Sequence, residues 1–471
     1  MIVGRIEEIE RINQALNEDE SQFIAVYGRR RVGKTFLIRS VLDGKFTFQH
    51  SGLANAKTKE QLEAFRLALV EHGYKDCPVL NSWLNAFELL KEVVKKSKKR
   101  KKVIFIDEIS WMDTARSNFL SAFEHFWNSW ASARHDIVLI ICASASSWIV
   151  NNVFRNRGGL HNRVTVQIRL NPFTLKECED YCNYRGLALS KKQILSLYMS
   201  LGGVAYYWSL LKKGLSADQN INKLFFSESG QLRGEFNDLF ASLFKKPDVY
   251  VNVIRTLATV NSGMSRPQIA KTCGIVNNGG FGCILDELAQ CGFIRDYKFP
   301  GKKKKDSIIQ LTDCYLFFYL KCVEGNQDNA TYWIDNILSP AHSTWSGLAF
   351  ERVCFAHIPQ IKYSLGISGV ATNCYSWKYV STDKEEEGAQ IDLLLDRKDG
   401  ITNICEVKWS SGKYTLDKND MDSIYNKVSS FAKHSGSSNS IQITMITSDG
   451  LKQNTYSNEI QSEICADDLF L

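Results

Sequence analysis

Residues 28–35 read Gly-Arg-Arg-Arg-Val-Gly-Lys-Thr, a pair of glycines spaced around four residues and followed at once by a lysine and a hydroxyl side chain. The run before it, Phe23 to Tyr27, is apolar and reads as a buried strand, whereas Phe36 to Val41 behind it has helical spacing. A strand, a glycine-hinged loop and a helix start, in that order, let consecutive backbone N–H groups curl around an anion while the helix dipole faces it. At average residue frequencies the bare pattern GxxxxGK[ST] arises by chance in roughly one chain of this length in sixty, so the flanking elements decide. They assign Gly28, Arg29, Arg30, Arg31, Val32, Gly33, Lys34, Thr35 and Phe36 to the phosphates of a nucleotide such as ATP. Lys34 then bridges the outer phosphates and Thr35 holds Mg²⁺.

Such a loop hangs from a parallel sheet, and the sequence supplies one. The runs FIAVY, FTFQH, VIFID and IVLIIC alternate with amphipathic stretches at TFLIRSVL, Lys59 to Glu71 and Ala115 to Trp130, which predicts an α/β domain over residues 1–173. VIFIDE puts Asp107 and Glu108 at the C-terminal end of a strand, where parallel sheets present their ligands. Asp107 is expected to support Mg²⁺ through water and Glu108 to polarise the attacking water. Ser144, after the IVLIIC strand, suits a γ-phosphate sensor and equally a helix cap. Arg163 suits an arginine finger, in cis or from a neighbouring subunit, and equally an ordinary surface arginine.

Beyond this domain the pattern changes. Residues 174–242 have helical spacing (Ile194, Leu197, Tyr198, Leu201) and predict a helical lid; 243–323 predict helix, turn, helix and two strands around a basic turn, a winged-helix pattern. Lysines at that turn, Lys302, Lys303, Lys304 and Lys305, and Asn277 and Asn278 at the second helix are candidates for nucleic-acid contact, with DNA favoured. A second basic run, Lys95 to Lys102, is left open between a nucleic-acid patch and a solvated loop. Glu324 to Ser343 reads as a loop-rich connection to a last domain, 344–471.

The balance of 58 Lys+Arg against 51 Asp+Glu, net +7, permits a nucleic-acid partner without demanding one. The longest apolar run, Ile137 to Ala143, is far short of a membrane span, and the N-terminus has no secretory apolar core, so a cytoplasmic protein without membrane contact is expected. Thirteen scattered cysteines with no zinc spacing read as reduced core thiols.

Taken with VGRIEEIERI at the start, VIFIDEISWM, ICASASSW and GGLHNRVTVQIRLNPF, the phosphate-loop segment resembles the archaeal and bacterial ATPases of the signal-transducing STAND type, within the AAA+ class. The resemblance implies that Gly4 and Arg5 lie near the adenine. It also implies a lid contact to nucleotide from a GGxP signature, which here reads Gly202-Gly203-Val204-Ala205, without the proline. A homo-oligomer, or a partner protein docking through the lid or winged helix, fits the class.

The last domain carries Glu351 in a helix, Asp392 in AQIDLLLD and Glu406-Val407-Lys408 in NICEVKW. In a strand Glu406 and Lys408 share a face and Val407 faces the core. The Asp-Gly turn in RKDGIT predicts a hairpin that sets Asp392 beside Glu406. Two carboxylates and a lysine suit a metal-assisted phosphodiester site: Asp392, Glu406 and Glu351 hold Mg²⁺ or Mn²⁺, and Lys408 offsets developing charge. Glu-x-Lys alone means nothing, since about one or two arise by chance per chain. The order helix-Glu, strand-Asp, strand-ExK, however, resembles the PD-(D/E)XK nuclease fold, with Ile391 where that fold usually has proline. An ATPase that switches a DNA-cutting domain is therefore the expectation, and an ATP-switched DNA-binding regulator or interaction platform with an inactive nuclease-like domain is the alternative.

Overall fold

Alternate residues of the central strands of the N-terminal region enter two different cores. Phe23 and Ala25 pack with the helices Thr58–Glu71, Trp83–Lys96 and Phe119–Phe126 on one face; Ile24 and Val26 pack with Ile6–Asn17 and Lys34–Val41 on the other. A sheet covered on both faces needs strands that are apolar throughout, and IVLIICA is fully buried along its length. In this computed structural model, which describes residues 2–144, 146–155, 158–297, 307–381 and 387–471, the strands are β1 (Gln22–Tyr27), β2 (Phe46–Ser51), β3 (Lys102–Asp107), β4 (Ile137–Ala143) and β5 (Val166–Arg169). They run parallel in the order β2-β3-β4-β1-β5. After β1 the chain crosses to the edge at β2, returns through β3 and β4 to lie beside β1, and adds β5 on its other side, so the loop after β1 leaves the carboxyl end of an interior strand.

The chain forms two compact units, 1–172 and 173–471. The sequence separates 174–242, 243–323 and 344–471, but in the structure their apolar side chains make one cluster running from Phe173 to Phe470. The reason is visible in the connection read as loop-rich. It contains the short helix Tyr332–Asp335, whose Trp333 is buried between Phe318 and Trp345 and so stitches the segments on either side of it together. A buried indole of that size contributes on the order of 1.5–3 kcal/mol by area.

Within the second unit, β6 (Met264–Ser265), β7 (Ile294–Tyr297) and β8 (Ile308–Leu311) form an antiparallel sheet in the order β6-β8-β7, with helices Pro247–Ala258, Arg266–Cys273 and Gly279–Gln290. A five-stranded mixed sheet follows: β9 (Thr372–Tyr379), β10 (Ala389–Arg397), β11 (Ile401–Lys408), β12 (Ser440–Thr447) and β13 (Ser462–Cys465), ordered β13-β12-β11-β10-β9. β9 to β11 are antiparallel neighbours, and β12 joins β11 in parallel after the crossover helix Lys418–His434. The helix Pro340–Ala356 shares a core with Leu393, Leu395, Cys405 and Val407, while Phe431 of the crossover helix packs with Ile391, Leu394 and Ile404. Two helices thus cover opposite sets of strand residues. All thirteen cysteines are free and nine are buried, as core thiols would be.

Candidate functional site

The loop after β1 turns because three of its residues accept positive φ: Gly28 at 144°, Arg31 at 71° and Gly33 at 98°. At Gly28 no other residue fits, since a Cβ there would stand 2.2 Å from the carbonyl oxygen of Leu170, whose own amide donates to Tyr27 O at 2.8 Å. Lys34 is buried and donates to the carbonyls of Gly28 and Arg29 at 2.9 and 3.0 Å, folded back over the loop it belongs to. The Thr35 hydroxyl donates to Asp107 Oδ2 at 2.9 Å, joining the helix start to the end of β3. Burial raises the Asp107 carboxyl, and the Thr35 hydroxyl pulls it back toward the charged form. A hydroxyl and a carboxylate held together are hard oxygen donors, the set a divalent cation prefers.

Glu108 has φ 47°, a left-handed conformation that a glutamate rarely adopts and that points to a constrained position. Its two carboxylate oxygens receive the amide of Ser144, at 3.0 Å, and the Ser144 hydroxyl. Ser144 thus spends both groups on Glu108, a third role beside sensing and capping: it orients the acid. Phe36 is exposed beside the loop, Arg29 and Val32 are buried, and Arg30 is half-buried. Arg5 is buried in a left-handed turn (φ 61°) just after Gly4, at the start of Ile6–Asn17. Arg163 is exposed in the turn before β5.

Gly202 has a positive φ of 59°, and Gly203 has a packing explanation. A Cβ on Gly203 would lie 1.9 Å from Phe173 O, and the Phe173 amide donates to Gly203 O at 2.6 Å while Tyr198 Oη donates to Phe173 O at 2.9 Å. The basic run 95–102 also resolves into structure. Lys99 donates to the carbonyls of Gly44 and Phe46, Lys101 to His135 O, and Lys102 pairs with Asp136 at 2.8 Å. These lysines tie the ends of β2, β3 and β4 together.

In the antiparallel module Asn278 accepts the Phe281 amide at 3.2 Å as an N-cap, and Asn277 accepts from Arg266 Nε at 2.8 Å. The side-chain oxygens of both residues are thus engaged within the module, that of Asn278 in capping the helix start, while both residues remain exposed. Lys302, Lys303, Lys304 and Lys305 lie outside the described residues.

The C-terminal acids come from three elements. β10 and β11 pair with Leu393 opposite Cys405 and are joined through Gly400 at φ 87°, so Asp392 falls next to Glu406. The pairing of β10 with β9 slips between Ile391 and Leu394, and the Ser376 hydroxyl donates to the Asp392 carbonyl at 2.7 Å. The strand is thus irregular at the position of Asp392. Glu351, on Pro340–Ala356, faces the pair: burial and the nearby Asp392 and Glu406 raise its carboxyl above the usual range, and burial with Glu406 raises Asp392. Glu406 is buried, and its oxygens meet Lys427 Nζ at 2.5 Å and Lys408 Nζ at 3.3 Å. Lys408 also reaches Asp420 at 3.6 Å, which accepts from Tyr414 Oη at 2.9 Å.

Lys427 and Asp420, both on the crossover helix, are members that sequence reading missed. Their seven-residue spacing puts them on one helical line with Ile424 and Phe431, a signal available in a helix already expected near Tyr425. The carboxylates are chemically suited to Mg²⁺ or Mn²⁺. Among the described residues, though, no three His, Cys, Asp or Glu side chains are gathered as a ready metal group, since Glu406 is engaged by lysines instead.

Residues 2–209 match the family described as an ATPase domain predominantly from Archaea. The uncharacterized protein MJECL04 of Methanocaldococcus jannaschii is 23% identical over 439 residues, 90% of each chain. The uncharacterized ATP-binding protein MJ0423 of the same organism is 49% identical over 45 residues, 10% of this chain and 76% of that one. The solved Walker-type ATPase PABY2304 of Pyrococcus abyssi shares the fold, with TM-score 0.50 and 16% identity over 68% of this chain and 96% of its own. The phosphate-loop region is thus a P-loop ATPase domain. No helix among the described residues is long and apolar enough to cross a membrane.

Proposed function

We propose that the P-loop ATPase domain binds and hydrolyses Mg·ATP as a switch for a second unit that binds DNA and cleaves it at the Asp392–Glu406–Lys408 site. The ATPase half is carried by the Thr35 hydroxyl on Asp107 at the mouth of the phosphate loop, with Glu108 held beside it by Ser144. Thr35 and Asp107 hold Mg²⁺, Lys34 leaves its two carbonyls for the phosphates, and Glu108 takes the proton of the attacking water. Arg163 is the candidate for charge stabilisation at the transferred phosphate, and Gly4 and Arg5 for the adenine side.

The cleavage half is supported by element order and register. A helix with Glu351, a hairpin with Asp392 opposite Glu406, and Lys408 two residues on are the features a PD-(D/E)XK nuclease reading calls for, and they support it. Asp392, Glu406 and Glu351 would hold a divalent cation, which would supply an activated water and a Lewis acid for the phosphodiester. Lys408, balanced between Glu406 and Asp420, orients the anionic substrate. The helix-strand-helix-helix-strand-strand order of residues 247–311 supports a winged-helix DNA module, with 302–305 between its last two strands.

One observation favours a second reading. Glu406 is neutralised by two lysines, an arrangement that also suits an inert domain in an ATP-switched DNA-binding regulator. Plasmid DNA incubated with the full chain, Mn²⁺ or Mg²⁺ and ATP decides between them. Strand cleavage that disappears in Glu406→Gln while ATP turnover persists is the expected result; DNA bound and intact throughout, with ATP still hydrolysed, selects the regulator.

A further inference from the structure

Glu406 exposes only 5% of its surface, yet both of its oxygens are in ion pairs. The two lysines are not equivalent. Lys408 is shared: it reaches Glu406 at 3.3 Å and Asp420 at 3.6 Å, with the Tyr414 ring 5.8 Å away. Lys427 makes its one ion pair, among the described residues, with Glu406 Oε2 at 2.5 Å, and its side chain is 14% exposed. The crossover helix therefore lays an acid and a base, Asp420 and Lys427, across β11, and each takes the oppositely charged member of the Glu406–Lys408 pair.

Asp392 and Glu406 stand side by side on paired strands, and the repulsion between two carboxylates in a low dielectric has to be offset by positive charge. Lys427 supplies one charge, at Glu406 Oε2. A divalent ion brings two charges and prefers several oxygen ligands, so it outcompetes a single ammonium only by removing it.

Resting on the cation-site reading above, we propose that Lys427 is the resident occupant of the divalent-cation position. Cation binding is then an exchange at Glu406: the ammonium leaves as the metal arrives, and Lys427 is a positioning residue that keeps the site closed and charge-balanced until that moment. A hydrated, flexible ammonium released on the helix above β11 remains within its own side-chain length of the site, where an anionic substrate is its natural next partner.

The test uses the nucleotide-free full chain with Mn²⁺ alone, followed by calorimetry and by residue-resolved amine acylation. Calorimetry is expected to show an Mn²⁺ event that Glu406→Gln abolishes and that Lys427→Met tightens by roughly tenfold or more, the scale of removing one buried competing charge. Acylation of Lys427 in the wild-type chain is expected to rise severalfold when Mn²⁺ saturates, and to be high without metal in Glu406→Gln. The wild-type labelling needs no substitution, so it stands whether or not the methionine variant folds. A Glu406-dependent Mn²⁺ event with unchanged Lys427 labelling, or with unchanged affinity in Lys427→Met, overturns the exchange and leaves the cation site standing. Absence of any Glu406-dependent event overturns both.

Discussion

The phosphate loop and the C-terminal acid cluster each rest with a lysine folded onto the site it serves, and the difference lies in what that lysine holds. Lys34 donates to two neutral carbonyls of its own loop, bonds worth about 0.5–1.5 kcal/mol each in net terms. Lys427 holds a buried carboxylate, and breaking such a pair from one side costs about 3–5 kcal/mol. The first lysine is parked where leaving is easy, and the nucleotide finds a loop already shaped by backbone. On the exchange proposed above, the second stands where a cation would sit. The phosphate loop is shaped by backbone, whereas the acid cluster is held by a charged side chain.

That contrast can be broken most severely at Lys34. Lys34→Ala is expected to lower ATP turnover by about 10³-fold or more, the scale of a charge placed on a transferring phosphate, while Glu406-dependent Mn²⁺ binding is unchanged. A steady-state phosphate-release assay reads the first and calorimetry the second; loss of both would mean that the sites are not separable. Next is Glu406→Ala, which removes the one ion pair that Lys427 makes among the described residues and leaves it only the nearby Asp392 and Glu351; it is expected to lose about 3 kcal/mol in denaturant unfolding, with Lys427→Met in the same chain recovering most of it. If the double variant is no more stable than the single one, the two side chains do not form the pair described.

A smaller effect concerns pH. Glu351 is held above the ordinary glutamate range, chiefly by burial, so the folded chain keeps its proton longer than the unfolded chain does. Its contribution to stability is full below the unfolded value and disappears as pH rises through the folded one. Metal-free stability is expected to fall from mildly acid buffer toward neutrality, less steeply in Glu351→Gln, and Mn²⁺ is expected to cancel the fall because it binds the deprotonated acids. A pH series of unfolding midpoints checks this; identical slopes in the two proteins would remove Glu351 from the cluster. Smallest is Lys99→Ala. It is expected to cost less than about 1 kcal/mol in the first unit and to leave the salt dependence of DNA binding untouched, since Lys99 is committed to the carbonyls of Gly44 and Phe46.

The phosphate loop was legible because its residues are contiguous and its chemistry is carried by backbone, so strand, glycines and helix start appear in order along the chain. Asp392 beside Glu406 was legible for a similar reason: an Asp-Gly turn fixes hairpin register locally. What could not be read depends on which distant groups a charged side chain reaches. Lys99, Lys101 and Lys102 look like a solvated or nucleic-acid-binding run until their carbonyl and Asp136 partners are placed. Asn277 and Asn278 look free until Arg266 and the Phe281 amide claim them. Nor does periodicity announce that Trp333, in a polar stretch, is the side chain joining segments that otherwise read as separate domains. Lys427 sits between these cases, since the helical line was available but its partner on β11 was not.

Leu170 and Phe173 give the chain a mechanical property. The first is pinned beneath Gly28, with its amide on Tyr27, and the second is clamped by Gly203 and Tyr198. Only Asn171 and Pro172 separate them, a span of at most ~11 Å with one torsion frozen by the proline ring. Each end of this connection is seated on a glycine with no room for a Cβ, so at Gly28 and at Gly203 even an alanine would force the adjoining backbone to move.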